Sequence, residues 1–301
     1  MEKFSFNFFG AVGSRANSDP VAYTSATEDG VTAEEVPQQQ GLKVTDQPTV
    51  VTFDNEVALL KGMVTSEQAA AALAEPELQA SDLVPRKYEG GFKLWEGAVD
   101  LCNFLIQQHQ LTPQLLQEHS PSSSLRHKKV LELGCGHGLP GVLCHLAGAA
   151  VHYQDFNKQV ITSLTIPNMR ANLARLQQGA CREAARFFAG DWEAVGHMMA
   201  MHGLGGYYDI ILTAETIYSP ESQARLLSCI KQVLQPPHGV VYVAAKSFYF
   251  GVGGSTASFA DLVKADGILE CKQVWKVEDG QSNKREILKL NFPEAITPYF
   301  L

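Results

Sequence analysis

Alternating strand-like and helix-like segments from residue 129 onward predict an α/β fold, a doubly wound parallel sheet that ends in an antiparallel hairpin. Three observations carry this expectation. Five apolar strand-like runs, "KKVLELG", "AVHYQDF", "AARFFAGD", "YDIILTAE" and "GVVYVAAK", recur with helical segments between them. A glycine-rich loop, "GCGHGLPG", joins the first strand to its helix. Two later runs, "ILECKQVWKVED" and "REILKLNFP", are separated only by the turn-like "GQSN" and so pair directly at the sheet edge. The sum is a seven-stranded sheet with one antiparallel strand.

The elements follow in chain order. Residues 1–85 read as an arm, largely disordered. From residue 10 to about 50 the chain is rich in Ser, Thr, Glu, Gln, Pro and Ala, so burial cannot offset the entropy of ordering. Within the arm, "FSFNFF" at 4–9 alternates aromatic and polar residues, a pattern for an added edge strand or a docking segment. "SEQAAAALAEPELQ" at 66–79 is a weak helix that Pro76 interrupts.

The folded domain spans 86–301. "FKLWEGAVDLCNFLIQQHQ" has apolar residues at helical spacing and predicts a helix at about 96–109, and "SPSSSLRHKK" is a surface loop. Crossover helices fall at "GLPGVLCHLAGA", "PNMRANLARLQQ", around 193–202, and at the amphipathic "ESQARLLSCIKQVLQ". One more, at 255–265, precedes the hairpin.

Composition narrows the function classes. The 301 residues are 45% hydrophobic and carry a formal net charge of −8, which argues against a general nucleic-acid binder. Such a surface suits a basic protein partner, and equally serves solubility alone. Six scattered cysteines without a C-x-x-C pair predict reduced thiols. The N-terminus lacks the apolar core of a signal peptide, and no stretch approaches the roughly 20 apolar residues of a membrane span. A soluble, cytoplasmic protein is expected, with no metal, no membrane partner and no obligate oligomer.

The glycine loop is the main chemical signal. Gly134, Gly136 and Gly138 follow "VLEL" and open a helix, where backbone amides approach a ligand closely. Asp155 ends the next strand, about 20 residues on, where an acid commonly binds ribose hydroxyls. Gly136, Gly138 and Gly141 also satisfy G-x-G-x-x-G, so a dinucleotide is an alternative. Three details favour S-adenosylmethionine. Glu132, two residues before the first glycine, suits a cationic amino group and would repel a phosphate. The chain leaves no room for a second substrate domain after the sheet. The terminal hairpin is the ending used by class I methyltransferases.

Other strand ends point to the same edge. Asp191 in "AGDWE" is placed to accept from an adenine amino group, with Trp192 beside the ring; the plain alternative is a helix cap and a core tryptophan. Thr213, Glu215 and Tyr218 in "LTAETIY" would face a transferred methyl group, or Glu215 would only anchor a loop. Gly138 could serve close packing alone, and Asp155 could cap a helix.

Together "YEGGFKLWEGAVDL", "VLELGCGHGLPGV", "YQDFN", "PNMRANL", "FAGDWE", "YDIILTAETIY" and "KSFYFGVGGS" resemble the histidine protein methyltransferases of the methyltransferase-like superfamily, over about residues 86–293. "FSFNF" near the start resembles the family too. The resemblance implies methyl transfer from S-adenosyl-L-methionine to a ring nitrogen of a protein histidine, with a large-subunit ribosomal protein as the characteristic substrate. It also implies cytoplasmic residence, with the nucleus and nucleolus reached through that substrate.

By position the resemblance places Leu94, Trp95, Glu96, Gly97, Ala98, Gly134, Gln154, Asp155, Asn157, Gly190, Asp191, Trp192 and Thr213 in the cofactor pocket. The chain departs from the family's Cys-Thr after "WE": Gly97-Ala98 removes a hydroxyl that could touch the cofactor. "YEGGFKLWE" would fold back as a flap, bent at Gly90-Gly91, with Trp95 closing the pocket; alternatively its aromatics bury against the sheet.

Glu215 and Tyr218 are the catalytic candidates, since a carboxylate or hydroxyl on one imidazole nitrogen selects the other for attack. Asp155 is committed to ribose. Loop 246–259, "KSFYFGVGGSTASF", has the glycines and aromatics of a substrate gate. Two alternatives stand: a lysine acceptor on the same fold, and a non-catalytic module that binds a ribosomal protein and uses the cofactor for stability.

Overall fold

The computed structural model describes residues 24–26, 32–42, 48–73, 88–118, 122–176, 185–278 and 283–300. Its elements run, in chain order, β1 (Thr24–Ala26), β2 (Thr32–Glu35), β3 (Thr49–Thr52), β4 (Ala58–Lys61) and α1 (Ser66–Leu73). Then come α2 (Glu96–Gln108), α3 (Pro113–Gln117), β5 (Lys129–Leu133), α4 (Leu139–Leu146) and β6 (Ala150–Asp155). Next are α5 (Lys158–Val160), α6 (Ile166–Leu173), β7 (Arg186–Gly190), α7 (Trp192–Met199), β8 (Ile210–Ala214) and α8 (Pro220–Val233). The chain closes with β9 (Val240–Lys246), α9 (Thr256–Asp266), β10 (Glu270–Val277) and β11 (Arg285–Asn291).

The main sheet is ordered β1-β2-β7-β6-β5-β8-β9-β11-β10. Strands β5 to β9 are mutually parallel where they pair. Strand β11 runs antiparallel between β9 and β10, so the expected seven strands and terminal hairpin are present. Two buried layers cover the sheet, because alternate residues of a strand face opposite sides. Val130, Tyr153, Leu212 and Ala244 join Leu101 and Leu105 of α2 and Val142 of α4 on one face. Leu131, Leu133, Ile211 and Val243 join Val195 of α7 and Leu226 and Ile230 of α8 on the other. Truncating a fully buried leucine in either layer costs about 2–5 kcal/mol, transfer and cavity together.

Helix α2 starts where the spacing places it, at Glu96. Between α5 and α6 the backbone passes through a π-helical turn, Ile161–Thr165, just before Pro167. Proline has no N–H and crowds the carbonyl four residues back, and a widened turn relieves both.

The N-terminal segment departs from its sequence reading. Strand β2 extends the sheet antiparallel to β7, with Ala33 opposite Gly190. Gly190 has φ 127, and a Cβ there would lie 2.3 Å from the Thr32 carbonyl oxygen. Glu35 grips Arg186 through two contacts of 2.8 Å. The β3–β4 hairpin lies on α6, where Asn172 accepts from the Leu60 amide at 2.8 Å and donates to its carbonyl at 2.7 Å. Asn168 accepts the Gly62 amide at 2.6 Å. These side chains satisfy a strand edge that would otherwise stay unpaired. Val36, Phe53, Val57 and Leu59 are buried in the main core. Local composition did not show this order, because every stabilising partner lies on a distant part of the chain. The weak helix appears as α1, while "FSFNFF" and the stretch around Pro76 lie outside the described residues.

Among the described residues no helix is long and apolar enough to cross a membrane. The described cysteines, Cys102, Cys135, Cys144, Cys229 and Cys271, are unpaired.

Candidate active site

The carboxyl ends of β5 to β8 border one pocket, about 830 Å³ of empty space counted out to open solvent. Open parallel sheets bind ligands at this edge, where strand ends and helix N-termini converge. Gly134, Gly136 and Gly138 all have positive φ and all line it. At Gly136 the reason is visible: a Cβ would press to 3.0 Å on the Gly91 carbonyl oxygen. The glycine loop therefore touches the Gly90-Gly91 bend of the preceding segment directly.

That segment, residues 89–95, forms a strap along the pocket. Gly90, Gly91, Leu94, Trp95 and Ala98 line the cavity. The Trp95 indole donates to the Gly90 carbonyl at 3.0 Å, closing the bend, and His137 Nε2 pairs with the Phe92 carbonyl at 3.1 Å. Tyr88 and Phe92 instead pack with Ala69, Val160 and Leu164 in a small cluster of their own. The bend at Gly90-Gly91 and the buried aromatics are both present, on different residues.

Two carboxylates sit deep in the wall. Glu132 accepts the Gly141 amide at 2.8 Å, and burial raises its pKa to about 8 despite that bond. Asp155 accepts the Gly136 amide at 2.9 Å and the Asn157 amide at 3.1 Å; burial still lifts its pKa to about 6. Gln154 staples the loop from below. Its Oε1 accepts from the Gly134 amide at 3.1 Å and the Trp192 indole at 2.9 Å, and its Nε2 donates to the Gly190 carbonyl at 2.8 Å.

Asp191 lines the pocket but has two commitments. One oxygen caps α7 by accepting the Glu193 amide at 3.0 Å, and the other meets Arg225 at 2.6 Å. The helix-cap alternative is thus present. Glu215 accepts the Gly97 amide at 3.2 Å and the Tyr249 hydroxyl at 2.5 Å, and burial raises its pKa. It anchors the loop after β9 while still bordering the pocket. The Tyr218 hydroxyl donates to Glu89 at the strap, and burial pushes the phenol's pKa up.

Some expected pocket residues support the wall from outside. Glu96 is more than half exposed and faces Arg285 at 3.8 Å. Gly97 leaves space for Glu215, since a Cβ would lie 2.8 Å from its Oε1. Thr213 is fully buried, donating to the Leu133 carbonyl at 2.8 Å and sharing a hydrogen with Thr216 at 2.7 Å. Asn157 accepts the Glu89 amide at 3.4 Å. Gln154, likewise, reaches the cavity only through the groups that it holds. Glu89, Arg225 and Tyr249 were not singled out from the sequence. Glu89 lies inside "YEGGFKLWE", and Arg225 inside the amphipathic "ESQARLLSCIKQVLQ".

Five carboxylates border the cavity, Glu89, Glu132, Asp155, Asp191 and Glu215, against Lys93 and Arg225 as the lysine and arginine present. Arg225 is spent on Asp191. Such a wall fits a ligand carrying sulfonium and ammonium charge, and is ill-suited to a pyrophosphate.

A family profile described as lysine methyltransferase matches residues 72–250. A histidine protein methyltransferase 1 homolog of Dictyostelium discoideum is 39% identical over 216 residues, 72% of this chain and 62% of that protein. The homolog of Rattus norvegicus is 32% identical over 232 residues, covering 70% and 59%. The chain therefore spans about three fifths of the length of these curated relatives. Among solved structures, SMU.776, described as a methyltransferase complexed with SAH, superposes with a TM-score of 0.51 at 12% identity, covering 83% of this chain and 57% of that one. That likeness speaks to the fold. With more than half of its residues matched by the family profile, the chain belongs to this methyltransferase family.

Proposed function

We propose that this protein transfers a methyl group from S-adenosyl-L-methionine to a ring nitrogen of a histidine in another protein, a large-subunit ribosomal protein being the expected acceptor. The observation that carries the cofactor assignment is the acid-walled pocket behind the glycine loop. The acceptor assignment rests on the relatives named histidine protein methyltransferase at 39% and 32% identity, and on the motif resemblance. Residence in the cytoplasm, with access to the nucleus, follows from such an acceptor. A monomer is the proposed state, the described residues of one chain lining the pocket.

The residues fit the cofactor by charge and shape. Glu132 suits the ammonium end, Asp155 the ribose hydroxyls, and Asp191 with Trp192 the adenine, while Gly134 and Gly136 let the backbone come close. When bound, the cofactor supplies a methyl on a sulfonium already activated for attack. Imidazole has a pKa near 6.5 and is largely neutral at pH 7, so the protein need not generate a strong nucleophile. Its work is to align one ring nitrogen and exclude water. Trp95 and the strap supply the exclusion. Glu215 and Tyr218, now joined by Glu89, are the groups near the strand ends able to engage the opposite N–H. That bond fixes the tautomer and stabilises the ring as it becomes cationic.

The family profile's own description favours a second reading, a lysine acceptor. Lysine, with a pKa near 10.4, would need a base to remove its proton. One experiment separates the readings: labelled S-adenosylmethionine is incubated with this protein and extract of cells lacking it, followed by amino-acid analysis. Methylhistidine in a ribosomal-protein band is the expected result. Methyllysine would replace the acceptor, and binding of cofactor without label would favour the non-catalytic module.

A further inference from the structure

Next to the pocket a short loop holds apolar side chains in water. Phe248, Phe250 and Val252 are 46%, 76% and 42% exposed on the segment that leaves β9. The two phenylalanine rings meet edge to face at 5.0 Å. The loop is a built structure. Phe248 and Ser255 form an antiparallel bridge. The Tyr249 amide donates to the Gly254 carbonyl at 2.9 Å, and the Gly253 amide to the Tyr249 carbonyl at 3.1 Å. Gly251 and Gly253 take positive φ at the tip, where an added Cβ would meet nothing within 4 Å.

Both flanks are fastened to the pocket wall. Tyr249 donates to Glu215, and the Gly254 amide donates to the Tyr218 carbonyl at 2.9 Å. Gly254 packs so closely that a Cβ would lie 2.2 Å from the Ile217 carbonyl oxygen. The aromatic tip is therefore a fixed projection beside Glu215 and Tyr218, the pocket's own residues.

We propose that Phe248 and Phe250 form a subsite for an apolar or aromatic side chain of the acceptor protein, one or two positions from the modified residue. The proposal rests on the transfer reading above. The occupant follows from continuity with the pocket mouth. An acceptor side chain delivered to Glu215 and Tyr218 brings its own backbone to the rim, and its neighbours lie roughly 3–7 Å away along an extended segment. They meet the tip, and apolar neighbours would cover rings that now face water. Lys93, which lines the pocket, and Lys246 stand over Trp95 at 4.6 and 5.7 Å.

The test compares the wild-type protein with the double variant Phe248→Ser, Phe250→Ser. The substrates are five-residue peptides with a central histidine, flanked either by glycine alone or by one phenylalanine or leucine. For the wild type, an apolar flank should raise kcat/KM at least tenfold. The variant should lose that preference while keeping the wild-type melting temperature, cofactor affinity and rate on the all-glycine peptide. Equal preference in both proteins would overturn the subsite while leaving histidine transfer intact. Should no peptide react, the two proteins are compared on extract proteins from cells lacking the enzyme. A weaker acceptor signal from the variant supports the subsite, and equal labelling overturns it. Absence of methylhistidine in both assays would remove the transfer reading and the subsite with it. A second copy seated on the tip would appear as a dimer in sedimentation that the variant abolishes, and would overturn the acceptor assignment.

Discussion

The Tyr249 hydroxyl donates to Glu215 across 2.5 Å, while the amide of Gly97 meets the other oxygen of the same carboxylate at 3.2 Å. One side chain thus joins the start of α2, just after the strap, to the loop after β9. Glu215 holds this place with φ 59, a left-handed conformation that costs a non-glycine residue about 1–2 kcal/mol. Its amide bond to the Ala244 carbonyl at 2.8 Å helps to offset that strain. Replacing Tyr249 by Phe removes a hydrogen bond to a charged acceptor, about 1.5–3 kcal/mol. A melting temperature lower by roughly 5 °C is expected. KM for a protein acceptor should rise more than KM for the cofactor; equal rises would show that the tie does not serve the acceptor side.

Glu132 sets the pH dependence of stability. The folded protein holds its proton up to a pKa of about 8, whereas the unfolded chain releases it near 4.5. Between these values the folded state binds more protons, so Glu132 lowers stability as pH rises, and its contribution is complete above pH 8. Asp155, raised to about 6, adds the same trend only at lower pH. His137 and His152, lowered by burial to about 4 and about 3, act in the opposite sense below pH 6.5. Between pH 6.5 and 7.5, below the ordinary pKa of 9.0 that burial raises in Cys102, Cys135, Cys144 and Cys229, Glu132 is the main contributor, with a slope of up to about 1.4 kcal/mol per pH unit. Urea midpoints across that window should decline in the wild type and stay level in Glu132→Gln, which keeps an acceptor for the Gly141 amide. Parallel slopes in the two proteins would assign the trend elsewhere.

The same carboxylate predicts proton release on ligand binding. A cation placed beside Glu132 favours its ionised form, and linkage requires that binding tighten as pH rises towards 8. Calorimetry of S-adenosylmethionine binding at pH 7, in buffers of different ionisation enthalpy, should show up to about one proton released. Glu132→Gln should bring that number near zero. Uptake of protons would place the cationic group away from Glu132.

Where the sequence was legible, a local pattern matched a local cause. The buried strands β5 and β8 are mostly apolar runs, and the glycines of "GCGHG" mark the loop in which Gly136 lies against Gly91. Glu132, Asp155 and Asp191 could be placed because strand ends fix position without knowledge of packing. The illegible parts are those decided by distant partners. Nothing in "TAEEV" announces a strand until β7 offers an edge and Arg186 a charge. Nothing in the polar face of α8 separates Arg225, which holds Asp191, from its solvated neighbours. Thr213 and Gln154 had the right address but serve the wall through hydrogen bonds that only the assembled sheet creates.

The grip of Glu35 on Arg186 allows that last distinction to be measured. Both groups are partly exposed, at 22% and 29%, so the pair contributes about 1 kcal/mol after solvent screening. Its loss should act on β2 and leave the rest of the sheet intact, because β2 meets the molecule chiefly through β7 and the buried Ala33 and Val36. In Glu35→Ala, amide exchange at residues 32–36 should quicken by roughly fivefold, the equivalent of that energy. Strands β5 and β8 should keep wild-type protection, and the melting temperature should change little. Unchanged exchange at 32–36 would mean that apolar burial of Val36 alone secures the strand. A uniform rise across the sheet would make β2 part of the cooperative core, with order in the N-terminal segment essential to the pocket that Gly190 borders.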